Sequence, residues 1–251
     1  METHTDISKK IWREKYQFKK ADGSPVDQAL EDTWKRVARS LASVENDSVF
    51  WEQKFYNALQ GSRFLPAGRI ISGAGTGRSV TLFNCFVMGE IADDMSGIFF
   101  GLREAALTMQ QGGGIGYDFS TLRPKGAPVH GVGADASGPL SFMNVWDSMC
   151  RTIMSAGSRR GAMMATLRCD HPDIEEFIGA KRDPVLLRMF NLSVLITDEF
   201  MEAVRNNKAW DLVFKGRIFK TISARELWNK IMRSTYELSL IHISEPTRLG
   251  F

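Results

Sequence analysis

From Val80 to Tyr236 the sequence alternates short apolar runs with amphipathic stretches, and this alternation restricts the fold more than any other feature. The apolar runs lie near residues 80–88, 114–119, 163–168, 189–196 and 211–214, and the amphipathic stretches near 94–111, 138–155, 172–181, 197–207 and 223–236. Strands that alternate with helices of this length are typical of α/β domains. The sequence therefore predicts an α/β domain over residues 79–237.

The region before this domain has a helical pattern. Leu30 and Trp34 begin a series of apolar residues at helical spacing, and residues 46–48 (Asn-Asp-Ser) are a good start for a second helix. Residues 1–28 are polar and carry a Gly-Ser-Pro turn, so we expect them to be irregular. The sequence predicts a helical N-terminal region over residues 1–78.

Composition and charge exclude several classes of protein. Apolar residues make up 43% of the 251 residues and charged residues 24%, as in ordinary soluble globular proteins. The net charge of +3 is small, and there is no basic stripe with interleaved aromatic residues, so we do not expect DNA binding. Because the sequence has neither a long apolar run nor a signal peptide, we expect no membrane span and a cytoplasmic location.

The cysteines and histidines do not form a metal-binding pattern. Cys85, Cys150 and Cys169 show no C-x-x-C spacing, and the four histidines are scattered along the chain. We therefore expect neither a disulfide framework nor a zinc site. Cys150 and Cys169 are expected to be packing residues.

Cys85 stands out because it lies in an apolar run and the chain also has two glycine-rich loops. These loops are residues 112–116 (GGGIG) and 157–161 (GSRRG). Backbone N–H groups and guanidinium groups suit phosphate, and a thiol beside them indicates redox or radical chemistry on a phosphorylated molecule. The alternatives are that the glycines mark turns and that the cysteine only packs.

Several short strings resemble the catalytic subunit of ribonucleotide reductase, specifically its adenosylcobalamin-dependent class. They are LPAGRI (65–70), NCFVMG (84–89), MQQGGGIGYD (109–118), GAPV (126–129), ASGPLSFM (136–143) and SRRGAMM (158–164). The resemblance implies a helical region leading into a ten-stranded α/β barrel, of which only the first strands are present. It also implies reduction of ribonucleotides to 2′-deoxyribonucleotides by thiyl-radical chemistry.

Within this resemblance Cys85 matches one member of a redox cysteine pair. The second member and the radical-bearing cysteine would lie beyond residue 237, so the fragment alone is expected to be inactive. A thioredoxin-like dithiol would reduce the resulting disulfide, and adenosylcobalamin would generate the radical.

The resemblance also assigns substrate-binding residues. Ala67, Asn84, Gly113 and Gly114 match positions that line the ribose and phosphate, and Arg160 matches a residue that touches the base. Glycine lets backbone approach a ligand closely. The alternatives are a tight turn at strand entry and, for Arg160, a surface hairpin with solvated arginines.

A second, regulatory site is implied by two further residues. Asp93 matches the acceptor of the sugar hydroxyl of a deoxynucleotide effector, and Arg123 matches a phosphate-binding arginine. Residues 155–164 match the loop that links this site to the substrate. The alternatives are that Asp93 caps the helix near 94–111 and that Arg123 is merely solvated. A homodimer is a further expectation.

The last residues do not fit this pattern. Residues 238–248 (LSLIHISEPTR) look like the translation of a sequencing-library transposase adapter. We therefore expect 238–251 to be a non-native tail with few buried contacts. The alternative is a genuine short strand and turn.

Other functions remain open from the sequence. The nearest is the large subunit of a metal-radical (class I) ribonucleotide reductase. A glycyl-radical enzyme on a related barrel would be recognised by a residue near its true C-terminus. A nucleotide-binding regulatory module without chemistry would have the loops but no need for Cys85 on a strand.

Overall fold

Two units make up the chain. A computed structural model describes residues 5–129, 133–153, 163–183, 185–238 and 241–244. The first unit contains the residues up to Asn84 together with Gln111–Gly113, and the second contains Cys85–Gln110 and most of the chain from Gly114 onward. Each unit has its own apolar core.

The first unit is helical. Its helices are α1 (Asp6–Lys15), α2 (Leu30–Ala42), α3 (Ser48–Leu59) and α4 (Gly68–Gly73), with a 3-10 turn at Gln60–Ser62. The apolar face of α2 buries Trp34, Val37 and Ala38 in the core. α3 begins after Asp47, whose carboxylate accepts a hydrogen bond from the N–H of Phe50 at 3.0 Å. The predicted helical N-terminal region is confirmed.

The expectation that residues 1–28 are irregular is wrong for Asp6–Lys15, which form α1. Thr5 caps this helix by accepting a hydrogen bond from the N–H three residues later, at 3.3 Å. Trp12 Nε1 donates to Thr33 Oγ1 on α2 at 3.0 Å. The apolar residues of α1 are few and lie among charged ones, so the helical period is weak in the sequence.

A buried ion pair ties the helices of the first unit together. Arg36 Nη2 lies 2.9 Å from Asp27 Oδ2, and their side chains are only 9% and 3% exposed. Arg36 also donates to the carbonyl oxygen of Ile71 on α4 at 3.0 Å. Burial alone would raise the pKa of Asp27, but hydrogen bonds from Arg36 and Thr33 outweigh it and lower that pKa. The carboxylate is therefore charged and fully engaged.

The second unit combines helices with a parallel sheet. Its helices are α5 (Met95–Gln110), α6 (Pro139–Thr152), α7 (Ile174–Gly179), α8 (Asp198–Arg205) and α9 (Ala224–Leu238). Its strands are β1 (Cys85–Val87), β2 (Gly114–Asp118), β3 (Pro128–Val129), β4 (Ala134–Asp135), β5 (Met163–Arg168), β6 (Phe190–Leu195), β7 (Ala209–Phe214), β8 (Arg217–Ser223) and β9 (Ile241–Ser244). Among the described residues five parallel strands form one sheet in the order β1-β2-β5-β6-β9. β3 pairs with β4 and β7 with β8 in antiparallel ribbons.

The core of the second unit lies between this sheet and its helices. Alternate residues of β5, namely Met163, Ala165 and Leu167, are buried, as the period of a strand requires. Trp146 on α6 is fully buried and packs edge-on against Phe119, with ring centroids 5.6 Å apart. The predicted order of a helical region followed by a parallel-sheet α/β region is confirmed.

Several strand predictions need correction. The strand expected over 80–88 is confined to Cys85–Val87, and β3 and β4 were not predicted. The strand expected over 211–214 is the first half of a hairpin whose second half, β8, was also missed. The sequence does carry a hairpin signal, because two turn residues, Lys215 and Gly216, separate the two strands.

The tail was expected to make few buried contacts, and this stays a prediction. The backbone of Ile241–Ser244 pairs in parallel with Leu192–Leu195 of β6, as the alternative of a genuine short strand predicts. An open edge of a sheet offers unpaired N–H and C=O groups to any segment with β propensity. In this stretch Ile241 and Ile243 alternate with the polar residues His242 and Ser244, a pattern typical of a strand.

Candidate functional site

Cys85 is the first residue of β1 and carries an exposed free thiol. β1 lies at one edge of the parallel sheet, and Cys85 is in register with Gly114 at the start of β2. The N–H of Met88 donates to the carbonyl oxygen of Gly116 at 2.9 Å and continues the pairing. The sheet therefore presents an exposed thiol beside Gly114, the first residue of β2.

The other two cysteines are unlike Cys85. Cys150 and Cys169 are 3% and 0% exposed and belong to the apolar core of the second unit. Burial raises the pKa of each thiol to about 11. Both are therefore protonated and shielded at neutral pH, and the prediction that they pack is confirmed.

The first glycine-rich loop is shaped by contacts within the first unit. Gly112 has a φ of +85°, and a Cβ there would collide with Nη1 of Arg69. The N–H of Thr81 donates to the carbonyl oxygen of Gln111 at 3.1 Å. The positive φ and the clash require glycine at position 112, and the hydrogen bond to Gln111 holds the backbone before it.

The predicted substrate-binding residues lie in different parts of the fold. Ala67 is the exposed N-cap residue of α4, and Asn84 is exposed directly before β1. Gly113 is buried, and Gly114 begins β2. Arg69, which was not singled out from the sequence, connects the turn at Ala67 with the glycine-rich loop because its guanidinium lies against Gly112.

Asp93 and Arg123 bind each other directly. Arg123 donates to Asp93 Oδ1 from its backbone N and from Nε, both at 3.0 Å, and from Nη2 to the Asp93 carbonyl oxygen at 2.8 Å. The two side chains are 12% and 28% exposed. Burial would raise the pKa of Asp93, but hydrogen bonds from Arg123 and Lys215 outweigh it and lower that pKa. The carboxylate is ionised and able to accept a further hydroxyl.

The alternative that Asp93 caps α5 is wrong. The capping side chain is Asp94, whose Oδ1 accepts a hydrogen bond from the N–H of Gly97 at 2.8 Å. Arg123 is likewise not simply solvated, because three of its groups donate to Asp93. Because Asp94 caps the helix, Asp93 remains available for another partner.

Lys215 is a functional candidate that the sequence did not reveal. It lies at the tip of the β7–β8 hairpin, and its Nζ is 3.0 Å from Asp93 Oδ2. The two residues are 122 positions apart in the chain. Only the placement of the hairpin brings them together, so sequence spacing gives no indication of this contact.

His171 and Asp173 hold the segment that contains Arg123. His171 Nε2 lies 3.0 Å from the carbonyl oxygen of Leu122, and its Nδ1 accepts from the N–H of Asp173 at 3.0 Å. Asp173 Oδ2 in turn accepts from the N–H of Lys125 at 2.9 Å. Burial lowers the pKa of His171 and raises that of Asp173.

These elements surround a cavity of about 420 Å³. Its lining includes Asp93, Thr121, Arg168, His171, Phe214 and Lys215. Three carboxylates (Glu90, Asp93 and Asp170), two cations and two aromatic rings line the same space. Such a set can hold a ligand that has both hydroxyl and ring components.

Other predicted features fall outside the described residues or give no site. Arg160 and residues 155–162 of the predicted loop 155–164 lie outside the described residues, whereas Met163 and Met164 begin β5. Within the described part of the chain, His, Cys, Asp and Glu side chains do not gather in threes or more as a metal site requires. Nor does that part contain a helix with the length and apolar character needed to cross a membrane.

Comparison with known families gives two matches. The model for the ribonucleotide reductase barrel domain matches residues 83–243, and the model for the ribonucleotide reductase all-alpha domain matches residues 2–79. The all-alpha match corresponds to the helical unit and the barrel match to the α/β unit, in that order along the chain.

Individual relatives carry related names. A vitamin B12-dependent ribonucleoside-diphosphate reductase of Mycobacterium tuberculosis is 38% identical over 234 residues, which are 90% of this chain and 33% of the relative. One of the same name from Thermoplasma acidophilum is 33% identical over 95% of this chain and 31% of the relative. A ribonucleoside-diphosphate reductase subunit alpha of Chlamydia muridarum is 26% identical over 81% of this chain and 22% of the relative. The chain thus spans at most about a third of the length of these relatives.

Proposed function

Because the chain belongs to the ribonucleotide reductase family, we propose that it is part of a catalytic chain that reduces ribonucleotides to 2′-deoxyribonucleotides. The observation that carries this proposal is the exposed thiol of Cys85 on β1, in register with Gly114 of the glycine-rich loop. A nucleotide-binding module without chemistry would not need a thiol at this point. The fragment alone is proposed to be inactive.

In the proposed reaction Cys85 acts with a second cysteine as a two-electron reductant. Each thiol gives up one hydrogen, and a disulfide bond forms between the two sulfur atoms. At the 2′ carbon the C–O bond breaks, one hydrogen replaces the hydroxyl, and the oxygen leaves as water with the other. A thioredoxin-like dithiol then reduces the disulfide and restores both thiols.

The second cysteine is proposed to lie outside the described residues. Cys150 and Cys169 are buried, and the pKa of each is about 11. A protonated thiol in an apolar core can neither attack a disulfide nor be reached by an external dithiol. This supports a partner elsewhere in the complete enzyme.

The proposed cofactor is adenosylcobalamin, after the vitamin B12 dependence in the names of two relatives. When bound it supplies the radical that a further cysteine carries. Among the described residues, we assign none to contact with adenosylcobalamin. The contribution of this chain is the thiol and the nucleotide contacts.

The residues that the family resemblance assigns to the substrate are proposed to bind it. Ala67, Asn84, Gly113 and Gly114 would contact its ribose and phosphate, and Arg160 its base. Backbone N–H groups at glycine positions suit phosphate oxygens because no Cβ intervenes. The guanidinium of Arg69, which lies against Gly112, adds positive charge and supports phosphate binding at the neighbouring glycines.

The regulatory site is proposed at Asp93 and Arg123. Asp93 would accept the sugar hydroxyl of a deoxynucleotide effector, and Arg123 would contact its phosphate. The ionised carboxylate and the Arg123 guanidinium bound to it support this arrangement. The loop 155–164 would transmit the identity of the effector to the substrate.

We also propose a cytoplasmic homodimer. Met95, Phe99, Phe100 and Leu107 of α5 are large apolar side chains that are 48–60% exposed. This helix begins two residues after Asp93, so a second copy packed on it would adjoin the effector site. Replacing Phe99 and Phe100 by glutamate should yield monomers in analytical ultracentrifugation.

The test of the proposed function uses the full-length enzyme with adenosylcobalamin and a dithiol donor. Cys85→Ser should fold but lose multiple-turnover reduction, because a hydroxyl cannot form the disulfide. Cys150→Ala is the matched control and should retain turnover. Turnover near that of the wild type in Cys85→Ser would refute the assignment.

A second candidate is the large subunit of a metal-radical reductase. The similarity to the subunit alpha of Chlamydia muridarum favours it. Turnover with adenosylcobalamin in the absence of any second subunit would exclude this candidate. A strict requirement for a separate radical-bearing subunit would establish it.

A further inference from the structure

We propose that Lys215, at the tip of the β7–β8 hairpin, is an additional residue of the effector site. In this arrangement Lys215 holds Asp93 Oδ2, and the sugar hydroxyl of the effector binds beside it on the same oxygen. This inference rests on the proposed function, because it takes Asp93 as the acceptor of the effector.

The hairpin is anchored along its first strand, so the position of its tip is fixed. Trp210 Nε1 donates to the carbonyl oxygen of Cys169 at 3.1 Å, and the N–H of Val213 donates to the carbonyl oxygen of Asp170 at 2.6 Å. The ring of Phe214 packs edge-on against His171, with centroids 5.9 Å apart. These contacts attach the hairpin to the turn after β5, and its tip lies at Asp93.

The turn itself does not call for a lysine. Lys215 and Gly216 have φ values of 47° and 78°, so both lie in the left-handed region, as in a two-residue hairpin turn. Glycine, asparagine and aspartate adopt this conformation with less strain than lysine does. The ammonium of Lys215 lies 3.0 Å from Asp93 Oδ2 and 5.3 Å from the centroid of the Phe214 ring, and both contacts favour a cation at this position.

The hydrogen bonds of Asp93 leave room for one more donor on the oxygen that Lys215 contacts. A carboxylate has about four acceptor positions. Arg123 fills two of them on Oδ1, and Lys215 fills one on Oδ2. Because Asp93 and Lys215 also line the same cavity, a hydroxyl on the remaining position would lie next to the ammonium group.

Lys215 therefore supports effector binding rather than competing with it. It fixes the rotation of the carboxylate about its Cβ–Cγ bond, which Arg123 restrains through only one of the two oxygens. It also keeps that carboxylate ionised as the acceptor of a hydroxyl. Since Lys215 is 68% exposed, solvent screens the pair and the effect on affinity is moderate.

The experiment measures the affinity of the full-length enzyme for each of the four deoxynucleoside triphosphates by equilibrium dialysis. Lys215→Ala should weaken binding about two- to fivefold, and Lys215→Glu should weaken it further. Lys215→Arg should restore the affinity, because a guanidinium also reaches the carboxylate. The difference between the wild type and Lys215→Ala should shrink as salt is raised.

A matched control lies on the same hairpin. Lys220 forms an ion pair with Glu175, so Lys220→Ala removes an equivalent charge without touching Asp93. This variant should bind the effectors as the wild type does. An equal loss in Lys220→Ala would show that Lys215 acts only through the stability of the hairpin, and the proposal would be wrong.

Asp93→Asn separates this inference from the proposed function. If Asp93→Asn binds every effector normally, the regulatory site is misplaced and both proposals fail. If Asp93→Asn loses binding while Lys215→Ala binds as tightly as the wild type or more tightly, only the role of Lys215 is refuted. Loss of binding in both, with rescue by Lys215→Arg, supports both proposals.

Discussion

His171 is bound through Nε2 to the carbonyl oxygen of Leu122 at 3.0 Å, and this bond ties the turn after β5 to the residue immediately before Arg123. Since a carbonyl oxygen only accepts, Nε2 carries the proton. Nδ1 accepts from the N–H of Asp173 and is therefore unprotonated. The neutral imidazole fits this position, and the imidazolium does not.

The first prediction concerns stability against pH. Burial lowers the pKa of His171 below its usual value of about 6.5, so the unfolded chain takes up this proton more readily than the folded one. The contribution of His171 to the free energy of unfolding should be complete above about pH 6.5 and decrease as the pH falls below it. Asp173 acts with the opposite sign at lower pH, because its raised pKa makes the folded state the better proton acceptor.

Urea unfolding followed by tryptophan fluorescence at several pH values between 8 and 5 measures this effect. His171→Asn should be less stable at pH 8 and should lose less stability on acidification than the wild type. The comparison isolates His171 from the other histidines of the chain. Parallel pH profiles for the two proteins would contradict the prediction.

The second prediction concerns the regulatory residues. Asp93→Ala and Arg123→Ala should reduce effector-driven changes in substrate preference by about 5- to 150-fold at most, the usual range of allosteric coupling. Arg160→Ala should instead weaken substrate binding even without effector. The measurement is the reduction of four competing ribonucleotides by the full-length enzyme, with and without each deoxynucleotide. An intact effector response in both Asp93→Ala and Arg123→Ala would show that the site is misplaced.

The third prediction concerns the buried ion pair of the helical unit. Asp27→Ala leaves the guanidinium of Arg36 buried without its carboxylate, and this should lower the free energy of unfolding by about 3–5 kcal/mol. Arg39→Ala is the control on the same helix, because its pair with Glu52 is exposed and contributes about 0–1 kcal/mol. Thermal and urea denaturation compare the two variants. Equal losses would mean that the pair at Asp27 is no more important than a surface contact.

The fourth prediction concerns the origin of residues 238–251. We propose that they derive from adapter sequence, and the pairing of Ile241–Ser244 with β6 is compatible with this, because the edge of β6 accepts any strand-forming segment. Amplification of the locus from unfragmented genomic DNA should give different codons after Glu237. Recovery of the same codons would show that the tail is native.

The strands with clear alternation were predictable, whereas contacts between distant segments were not. β5 and β6 were located within a residue or two, since their buried and exposed positions follow the period of a strand. Cys85, Asp93 and Arg123 were predicted as site residues from motifs. Their geometry came only from the fold, because the contact of Lys215 with Asp93 depends on where a hairpin is placed.

The position of β1 has a consequence for motion. This strand has three residues and, among the described strands, a single neighbour, whereas β5 lies between two. Amide hydrogens at such an edge exchange with solvent through local opening, at a far lower free energy than the global unfolding that exposes central strands. Cys85 thus lies on an edge strand that should open locally while the core stays folded. In the proposed reaction Cys85 would meet a substrate in one step and an external reductant in another, and its exposed position at this edge would favour access to both.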